Sequence, residues 1–177
     1  LKADNSIVRR MIIDCLRYWV SEMHIDGFRF DLASVMSRDK RGYLLEDPPI
    51  VWEIESDPVL AGTKIIAEAW DAAGLYQVGT FTGHRWAEWN GQFRDHVRHF
   101  LRRDEHITPR LAARIAGSAD LYRKVEWEPS RSINFVTCHD GFTLNDLVSY
   151  NQKHNEVNME NNTDGTEFNL SWNCGVE

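Results

Sequence analysis

Two hydrophobic periodicities follow one another at the start of the chain. Apolar residues recur at three- and four-residue intervals from Ile7 to about Met23, which predicts an amphipathic helix with its N-cap in the Asp4–Ser6 stretch. In the next segment, Asp26–Leu32, apolar and polar residues alternate with a period of two, as in a β-strand. A helix, a short loop and a strand in this order are typical of α/β proteins.

The same patterns predict the other elements. Apolar, β-branched runs indicate strands at Lys64–Ala67 and Ser132–Cys138, and a shorter strand is predicted within Trp86–Gly91. Helices are predicted from Pro48 to about Pro58, near residues 93–101, near residues 111–116 and from Thr143 to about Tyr150. The asparagine-rich segment Asn151–Glu177 shows no periodicity, and we interpret it as a long functional loop.

Three of the predicted strands lead directly into an acidic residue. Asp31, Glu68 and Asp140 occupy these places, and the gaps between them are 37 and 72 positions. A βα unit of a (β/α)8 barrel averages roughly 30 residues, so one unit fits the first gap and two fit the second. In such barrels the active site collects residues from the carboxyl ends of several strands. The sequence therefore predicts an α/β fold, part of a (β/α)8 barrel, with residues 1–177 in a single domain.

Arg29 and Asp31 share one face of the predicted strand Asp26–Leu32. Opposite charges two residues apart in a short buried strand are expected to pair, because an unpaired buried charge is costly. The guanidinium would keep the carboxylate ionised and oriented. A purely structural Arg–Asp pair is the alternative interpretation, and this segment alone does not decide between the two.

Clustered carboxylates beside aromatic residues suit glycosidic bond cleavage or divalent cation binding. Retaining hydrolysis needs an ionised carboxylate that attacks the anomeric carbon and a protonated one that releases the leaving oxygen. Asp31 beside Arg29 fits the first role, and Glu68, between two alanines and next to Trp70, is predicted in the less polar setting that suits the second. A magnesium site is the weaker hypothesis because it needs no stacking aromatics and no flanking arginine. We expect no metal and no other cofactor.

Several neighbours of these acids are candidate substrate contacts. Asp140 is expected to bind sugar hydroxyls and to favour the cationic transition state, with His139 as a hydrogen-bond donor. Asp71 follows Trp70 and is a further candidate. Flat apolar surfaces for sugar rings are offered by Trp70, Tyr76, Trp86 and Trp89. For each aromatic taken alone, packing is the commoner use.

Composition and charge limit the classes of binding partner that we expect. The 177 residues are 42% hydrophobic and 27% charged, with a formal net charge of −7, which is ordinary for a globular domain. Acidic and basic residues are mixed, and no apolar run could span a bilayer, so we expect neither a nucleic-acid nor a membrane partner. Cys15, Cys138 and Cys174 show no paired spacing and are predicted to be free thiols in a reducing compartment.

Three segments resemble signature regions of the α-amylase superfamily, glycoside hydrolase family thirteen. They are Asp26–Asp31, Glu68–Trp70 and His139–Asp140. The flanks are similar to those of isoamylase-type glycogen and starch debranching enzymes at Leu16–Val20, Ala67–Asp71, Gly74–Gly79, Trp86–Gly91, His139–Leu144 and Ser171–Gly175. This likeness covers nearly the whole chain.

The resemblance implies a retaining glycoside hydrolase that cleaves α-1,6 branch linkages. It implies Asp31 as nucleophile, Glu68 as general acid and base, and Asp140 as transition-state stabiliser, with Arg29 and His139 as supporting substrate contacts. The implied substrate is a branched α-glucan such as glycogen, amylopectin or a limit dextrin. The implied compartment is the bacterial cytoplasm or the plastid stroma.

Two departures from the family pattern qualify this expectation. The first superfamily signature, an Asp…Asn-His segment near the third barrel strand, is absent, and no eighth strand is recognised. The resemblance therefore implies about strands four to seven of a larger barrel, with open edges at Phe28–Leu32 and Ile133–Cys138, and a chain that is inactive alone. An α-1,4-acting amylase or transglycosylase and a non-catalytic glucan-binding subunit remain alternatives, although the three intact acids argue against the last.

Overall fold

The computed structural model describes residues 2–122, 129–175 and 177. The chain forms two compact units, Leu1–Trp89 with Asp120–Ile133 and Asn90–Ala119 with Asn134–Glu177. The prediction that all 177 residues belong to one barrel domain stays a prediction.

The first unit is built on a four-stranded parallel sheet. Its strands, paired in sequence order, are β1 (Gly27–Phe30), β2 (Lys64–Ala67), β3 (Ala87–Trp89) and β4 (Ser132–Ile133). Phe30 is the register partner of Ala67, so Asp31 and Glu68 follow the ends of neighbouring strands at the same edge. This parallel arrangement confirms the predicted α/β class.

Two helices belong to the same unit. α1 (Ser6–Ser21) buries Ile13 and Leu16, and α2 (Pro49–Ser56) begins with a proline at its first position, where the missing N–H is not needed. Arg17 Nη2 lies 2.6 Å from Asp57 Oδ2, which ties α1 to the residue that follows α2. Both helices were predicted from the sequence, and their bounds agree with the prediction within two residues.

Asn5 is the N-cap of α1, and its removal should be measurable. Its Oδ1 accepts hydrogen bonds from the N–H groups of Ile7 at 2.9 Å and Val8 at 3.4 Å. We expect Asn5→Ala to lower the free energy of unfolding by about 1 kcal/mol, because two N-terminal donors lose their acceptor. Urea unfolding measures this change. Ser6→Ala is the control, and an equal loss in both variants would contradict the assignment of the cap.

Trp86 lies at the centre of the first unit's core. It is fully buried, with its ring 4.9 Å from Phe30 and 5.3 Å from Phe81 between centroids. It is therefore a packing residue, and the prediction that it offers a surface for sugar is wrong. Other core members with almost no exposure are Ile50, Val51, Ile54, Leu60, Ile65, Ala67 and Ala69.

Gly27 permits the close approach of β1 to β2. A Cβ on Gly27 would lie 2.6 Å from the carbonyl oxygen of Lys64, which is nearer than real Cβ atoms come. Glycine at the start of β1 therefore allows the register that brings the two strand ends together.

The second unit contains α3 (Gly91–Leu101), α4 (Thr108–Ile115) and α5 (Leu144–Ser149). Asn90 is the N-cap of α3: its Oδ1 accepts from the Phe93 N–H at 2.9 Å, and its Nδ2 donates to Ser118 Oγ at 3.0 Å. Thr143 caps α5 by accepting from the Asp146 N–H, as the capping pattern predicts. Short 3-10 helices span Ala33–Ser37 and Pro129–Arg131 in the first unit and Glu156–Asn158 in the second.

One strand differs from the prediction. The strand expected at Ser132–Cys138 ends at Ile133, and the Val136 carbonyl accepts from the Arg98 side chain instead of joining a strand ladder. The connection between β2 and β3, all of it described, contains no helix, so this unit departs from a regular βα repeat.

Cys15, Cys138 and Cys174 are free thiols, as predicted. Within the described ranges, no helix combines the length and the apolar character that crossing a bilayer requires.

Candidate active site

Arg29 connects two of the predicted catalytic acids. Its Nη1 contacts Asp31 Oδ1, and its Nη2 lies 2.7 Å from Glu68 Oε1. The guanidinium of arginine is planar and carries several donors in fixed directions, so it can orient two carboxylates at once. The predicted Arg29–Asp31 pair is therefore present, and Glu68 shares it.

Glu68 is held by the backbone at the end of β1 as well as by Arg29. Its Oε2 accepts a hydrogen bond of 2.6 Å from the Leu32 N–H. Leu32 has a left-handed φ of +43°, a conformation that costs a non-glycine residue on the order of 1 kcal/mol. Strain of this kind often accompanies functional sites, and here it occurs at the residue whose N–H donates to the carboxylate.

The two carboxylates differ in exposure. A carboxylate oxygen of Asp31 and one of Glu68 lie within 4.8 Å of each other. The Asp31 side chain is 63% exposed and that of Glu68 only 2%. Glu68 is thus buried, but an arginine and a backbone N–H surround its oxygens, so its setting is more polar than the sequence suggested.

Aromatic side chains lie at the carboxyl ends of β2 and β3. The Arg29 guanidinium carbon is 4.3 Å from the ring centroid of Trp89, a cation–π contact. Trp70 and Tyr76 stack on each other with centroids 6.0 Å apart and planes 7° apart, and a β-bridge joins the same two residues. The predicted aromatic contacts other than Trp86 are therefore all partly exposed or exposed beside the β2 and β3 strand ends.

Asp71 shapes the loop that carries this aromatic stack. Its Oδ1 accepts from the N–H groups of Ala73 at 2.9 Å and Leu75 at 3.0 Å, and its Oδ2 pairs with Arg38 Nε at 2.6 Å. The hydrogen bond from Arg38 holds the pKa of Asp71 below its usual value. All of these partners belong to the protein, so the geometry favours a structural role for Asp71 over the substrate contact that the sequence suggested.

His139 and Asp140 belong to the second unit. Both side chains are about half exposed, and His139 Nε2 lies 3.6 Å from Asp140 Oδ1. Cys138 Sγ is 3.4 Å from the Asp140 backbone nitrogen. The three side chains bring potential ligand atoms within 4.8 Å of one another, so they could hold a metal ion, and the expectation that the protein needs none stays a prediction.

Glu88 on β3 is a buried acid that the sequence analysis did not identify. Its side chain is 1% exposed, its Oε1 lies 3.4 Å from Arg131 Nη2, and its Oε2 accepts from the Gly79 N–H. Burial raises the pKa of Glu88 to about 7, against the opposing effects of the Gly79 N–H and the Arg131 charge. A charged residue between two tryptophans in a short strand is the signal that could have revealed it.

Taken together, the first unit presents an exposed carboxylate and a buried carboxylate at hydrogen-bonding distance from one arginine, with aromatic rings nearby. Such a pair can attack an electrophilic carbon from one group and transfer a proton from the other.

Comparisons with known proteins show what the chain is similar to. The chain is 54% identical to isoamylase 3, chloroplastic, of Oryza sativa subsp. japonica, over all of its length and 23% of that protein. It is 52% identical to the glycogen operon protein GlgX homolog of Mycobacterium bovis, again over all of its length and 24% of that protein. No protein-family model matches the chain.

Solved structures give the same answer for the fold. A pullulanase from an Anoxybacillus species, crystallised with maltotriose, aligns with a TM-score of 0.62 and 30% identity over 82% of this chain and 22% of the pullulanase. The four parallel strands are accordingly part of a (β/α)8 barrel, as predicted. The chain spans about a quarter of the length of the curated relatives it matches. Over its whole length the chain is similar to isoamylase and GlgX proteins, in agreement with the resemblance noted in its sequence.

Proposed function

We propose that the protein hydrolyses α-1,6 branch linkages of glycogen- or amylopectin-type glucans with retention of configuration. One observation carries the proposal: Arg29 contacts Asp31 and Glu68, whose oxygens approach within 4.8 Å at neighbouring strand ends. Retaining glycosidases hold their two carboxyl groups about 5–5.5 Å apart, whereas inverting enzymes hold them about 6.5–9.5 Å apart. The observed closeness favours the retaining reaction.

The first half of the reaction forms a glycosyl ester. The exposed Asp31 carboxylate attacks the anomeric carbon, and the bond from that carbon to the glycosidic oxygen breaks. Glu68 gives its proton to the departing oxygen. Among the described residues, Arg29 and the Leu32 N–H contact the Glu68 carboxyl oxygens, and both are donors, so a proton on Glu68 finds its acceptor in the glycosidic oxygen of the bound glucan.

The second half of the reaction releases the sugar. Glu68, now ionised, takes a proton from water, whose oxygen attacks the anomeric carbon and displaces the Asp31 carboxylate. Two displacements at one carbon restore its original configuration. Arg29 stays cationic throughout and keeps both carboxyl groups oriented. We assign Asp140 to stabilisation of the positive charge that develops on the sugar and His139 to a substrate hydroxyl, on the strength of their match to the family signature.

Specificity for branch points is assigned to the segments that flank the acids. The catalytic acids are shared across the superfamily and cannot select the linkage, whereas the relatives reported above are named isoamylase, glycogen operon protein and pullulanase. An α-1,6 linkage adds a rotatable bond, so recognition needs surfaces that fix the two glucan chains before attack. We assign this task to the Trp70–Tyr76 stack, to Trp89 and to the asparagine-rich segment 151–174.

Substrate preference tests the proposal. In the full-length protein that carries this chain, we expect rapid release of linear oligosaccharides from amylopectin and glycogen and almost none from linear amylose. The measurement is the rate at which reducing ends appear from amylopectin and from amylose at equal mass.

Each contrary result has a distinct meaning. Equal rates on the two glucans would favour an α-1,4-acting amylase or a transglycosylase of the same superfamily. Binding to both glucans without release from either would favour a non-catalytic subunit.

The remaining assignments follow from the same proposal. The substrate is a branched α-glucan, and the chain supplies the central strands of a single catalytic barrel that needs its other strands for activity. We place the protein in the plastid stroma or the bacterial cytoplasm, in keeping with chloroplastic and bacterial relatives.

A further inference from the structure

The segment Val136–Phe142, which we call the His–Asp turn, carries His139 and Asp140 and belongs to no helix or strand of the described residues. Backbone groups outside regular structure need partners from elsewhere in the protein. Two buried side chains of the second unit supply them, one at each end of the turn.

Arg98, on α3, binds the start of the turn. Its Nε and Nη2 donate to the carbonyl oxygen of Val136 at 2.9 and 2.6 Å. Its Nη1 donates to the carbonyl oxygen of Asn169 at 3.0 Å. Buried arginines are usually paired with carboxylates, but these donors of Arg98, a residue only 6% exposed, point at backbone carbonyls. Such a placement specifies where two chain segments lie, because the guanidinium fork is rigid.

Asn169 binds the end of the turn. Its Oδ1 accepts from the Phe142 N–H at 3.0 Å, and its Nδ2 donates to the Thr166 carbonyl at 2.9 Å. The residue is only 4% exposed, and its bond to the Phe142 N–H is buried.

Gly141 lacks a side chain and therefore allows Asn169 to approach the backbone of the turn closely. It has a φ of +74°, and a Cβ there would lie 2.4 Å from Asn169 Oδ1. The asparagine side chain therefore packs directly against the backbone that follows Asp140.

We propose that Arg98 and Asn169 are positioning residues of the hydrolysis, which act through the His–Asp turn and fix the Asp140 carboxylate and the His139 ring. Arg98 holds the turn at Val136, Asn169 holds it at Phe142, and the Arg98–Asn169 bond couples the two anchors. The inference rests on the proposed function, because it assumes that Asp140 acts in catalysis.

The expected consequence is a loss of rate rather than of binding. A carboxylate that stabilises a transition state acts through its position, and a displacement of about 1 Å can lower the rate on the order of a hundredfold. Ground-state glucan binding depends on many other contacts and should change little.

Arg98→Met and Asn169→Ala test the proposal in the full-length protein, with amylopectin as substrate. Each should lower kcat by about 10- to 100-fold while KM stays within about threefold. The double variant should lose no more than the more damaging single variant, because the two anchors act on one turn. Arg98→Lys can donate from one nitrogen only and should give an intermediate kcat. Assays are run below the thermal midpoint of every variant.

A matched control lies one helical turn further along. Arg102→Met removes an arginine whose Nε lies 3.6 Å from Asp104 and which has no part in the His–Asp turn, so kcat should stay at the wild-type value. If Arg98→Met does not fold, Arg98→Lys and Asn169→Ala decide the question.

The outcomes separate this inference from the proposed function. Wild-type kcat in the folded Arg98 and Asn169 variants, or a loss confined to KM, would overturn the positioning role. Wild-type protein that releases nothing from amylopectin would instead overturn the proposed function itself.

Discussion

Replacing Asp31 by asparagine should lower kcat on amylopectin roughly a thousandfold or more while KM changes little. The substitution removes the nucleophile, whereas the asparagine oxygen can still accept from Arg29 Nη1 and preserve the local geometry. Few ground-state contacts with the glucan are lost, since one amide replaces one carboxylate of the same shape. Initial rates across a range of amylopectin concentrations separate the two parameters.

A covalent label sharpens this test. A fluorosugar that forms the glycosyl ester but slows its hydrolysis should leave one sugar on the peptide that contains Asp31, detectable by mass spectrometry. Asp14→Asn is the matched control because Asp14 is a half-exposed residue of α1 that pairs with Arg10 at 2.8 Å. Equal kcat in Asp31→Asn and the wild type, or label on another carboxylate, would refute the assignment of the nucleophile.

The free energy of unfolding should depend on pH because Glu88 changes its protonation state. Burial raises the pKa of Glu88 to about 7, above the value of about 4.3 expected in the unfolded chain. A raised acid pKa means that the folded state binds the proton more tightly. The contribution of Glu88 to the free energy of unfolding is therefore fully present below the pKa of the unfolded chain and is lost as pH rises through about 7. A shift of this size corresponds to about 4 kcal/mol.

The comparison with Glu88→Gln isolates this group. Glutamine keeps an oxygen that can accept from the Gly79 N–H but cannot ionise. We expect the stability of Glu88→Gln relative to the wild type to increase by about 3 kcal/mol between pH 4 and pH 8 in urea unfolding. Glu53→Gln, at a 43% exposed position paired with Arg9, should show no such trend. A difference that stays constant with pH would mean that the Arg131 charge keeps Glu88 ionised in the folded protein.

Much of the architecture follows from local sequence. The apolar periodicity of residues 6–21, the proline that opens α2 and the alternation in Gly27–Phe30 each report on groups close together in the chain. The meeting of Asp31 and Glu68 was also predictable, because neighbouring parallel strands end at the same edge of a sheet.

Contacts between distant segments could not be predicted from these patterns. Nothing near Asp71 in the sequence indicates that Arg38 would occupy its carboxylate. β4 ends at Ile133, and the Val136 carbonyl, which the sequence places in that strand, accepts from Arg98, a residue 38 positions earlier. The N–H that contacts Glu68 comes from Leu32, whose left-handed φ a leucine in the sequence does not predict.

The donor from Leu32 to Glu68 has an evolutionary consequence. It is a main-chain N–H, so every amino acid except proline would supply it at position 32. The ion pair with Arg29 Nη2, by contrast, depends on a single codon. A substitution at Arg29 therefore removes the ion pair to Glu68, whereas the main-chain hydrogen bond to Glu68 survives almost any substitution at position 32.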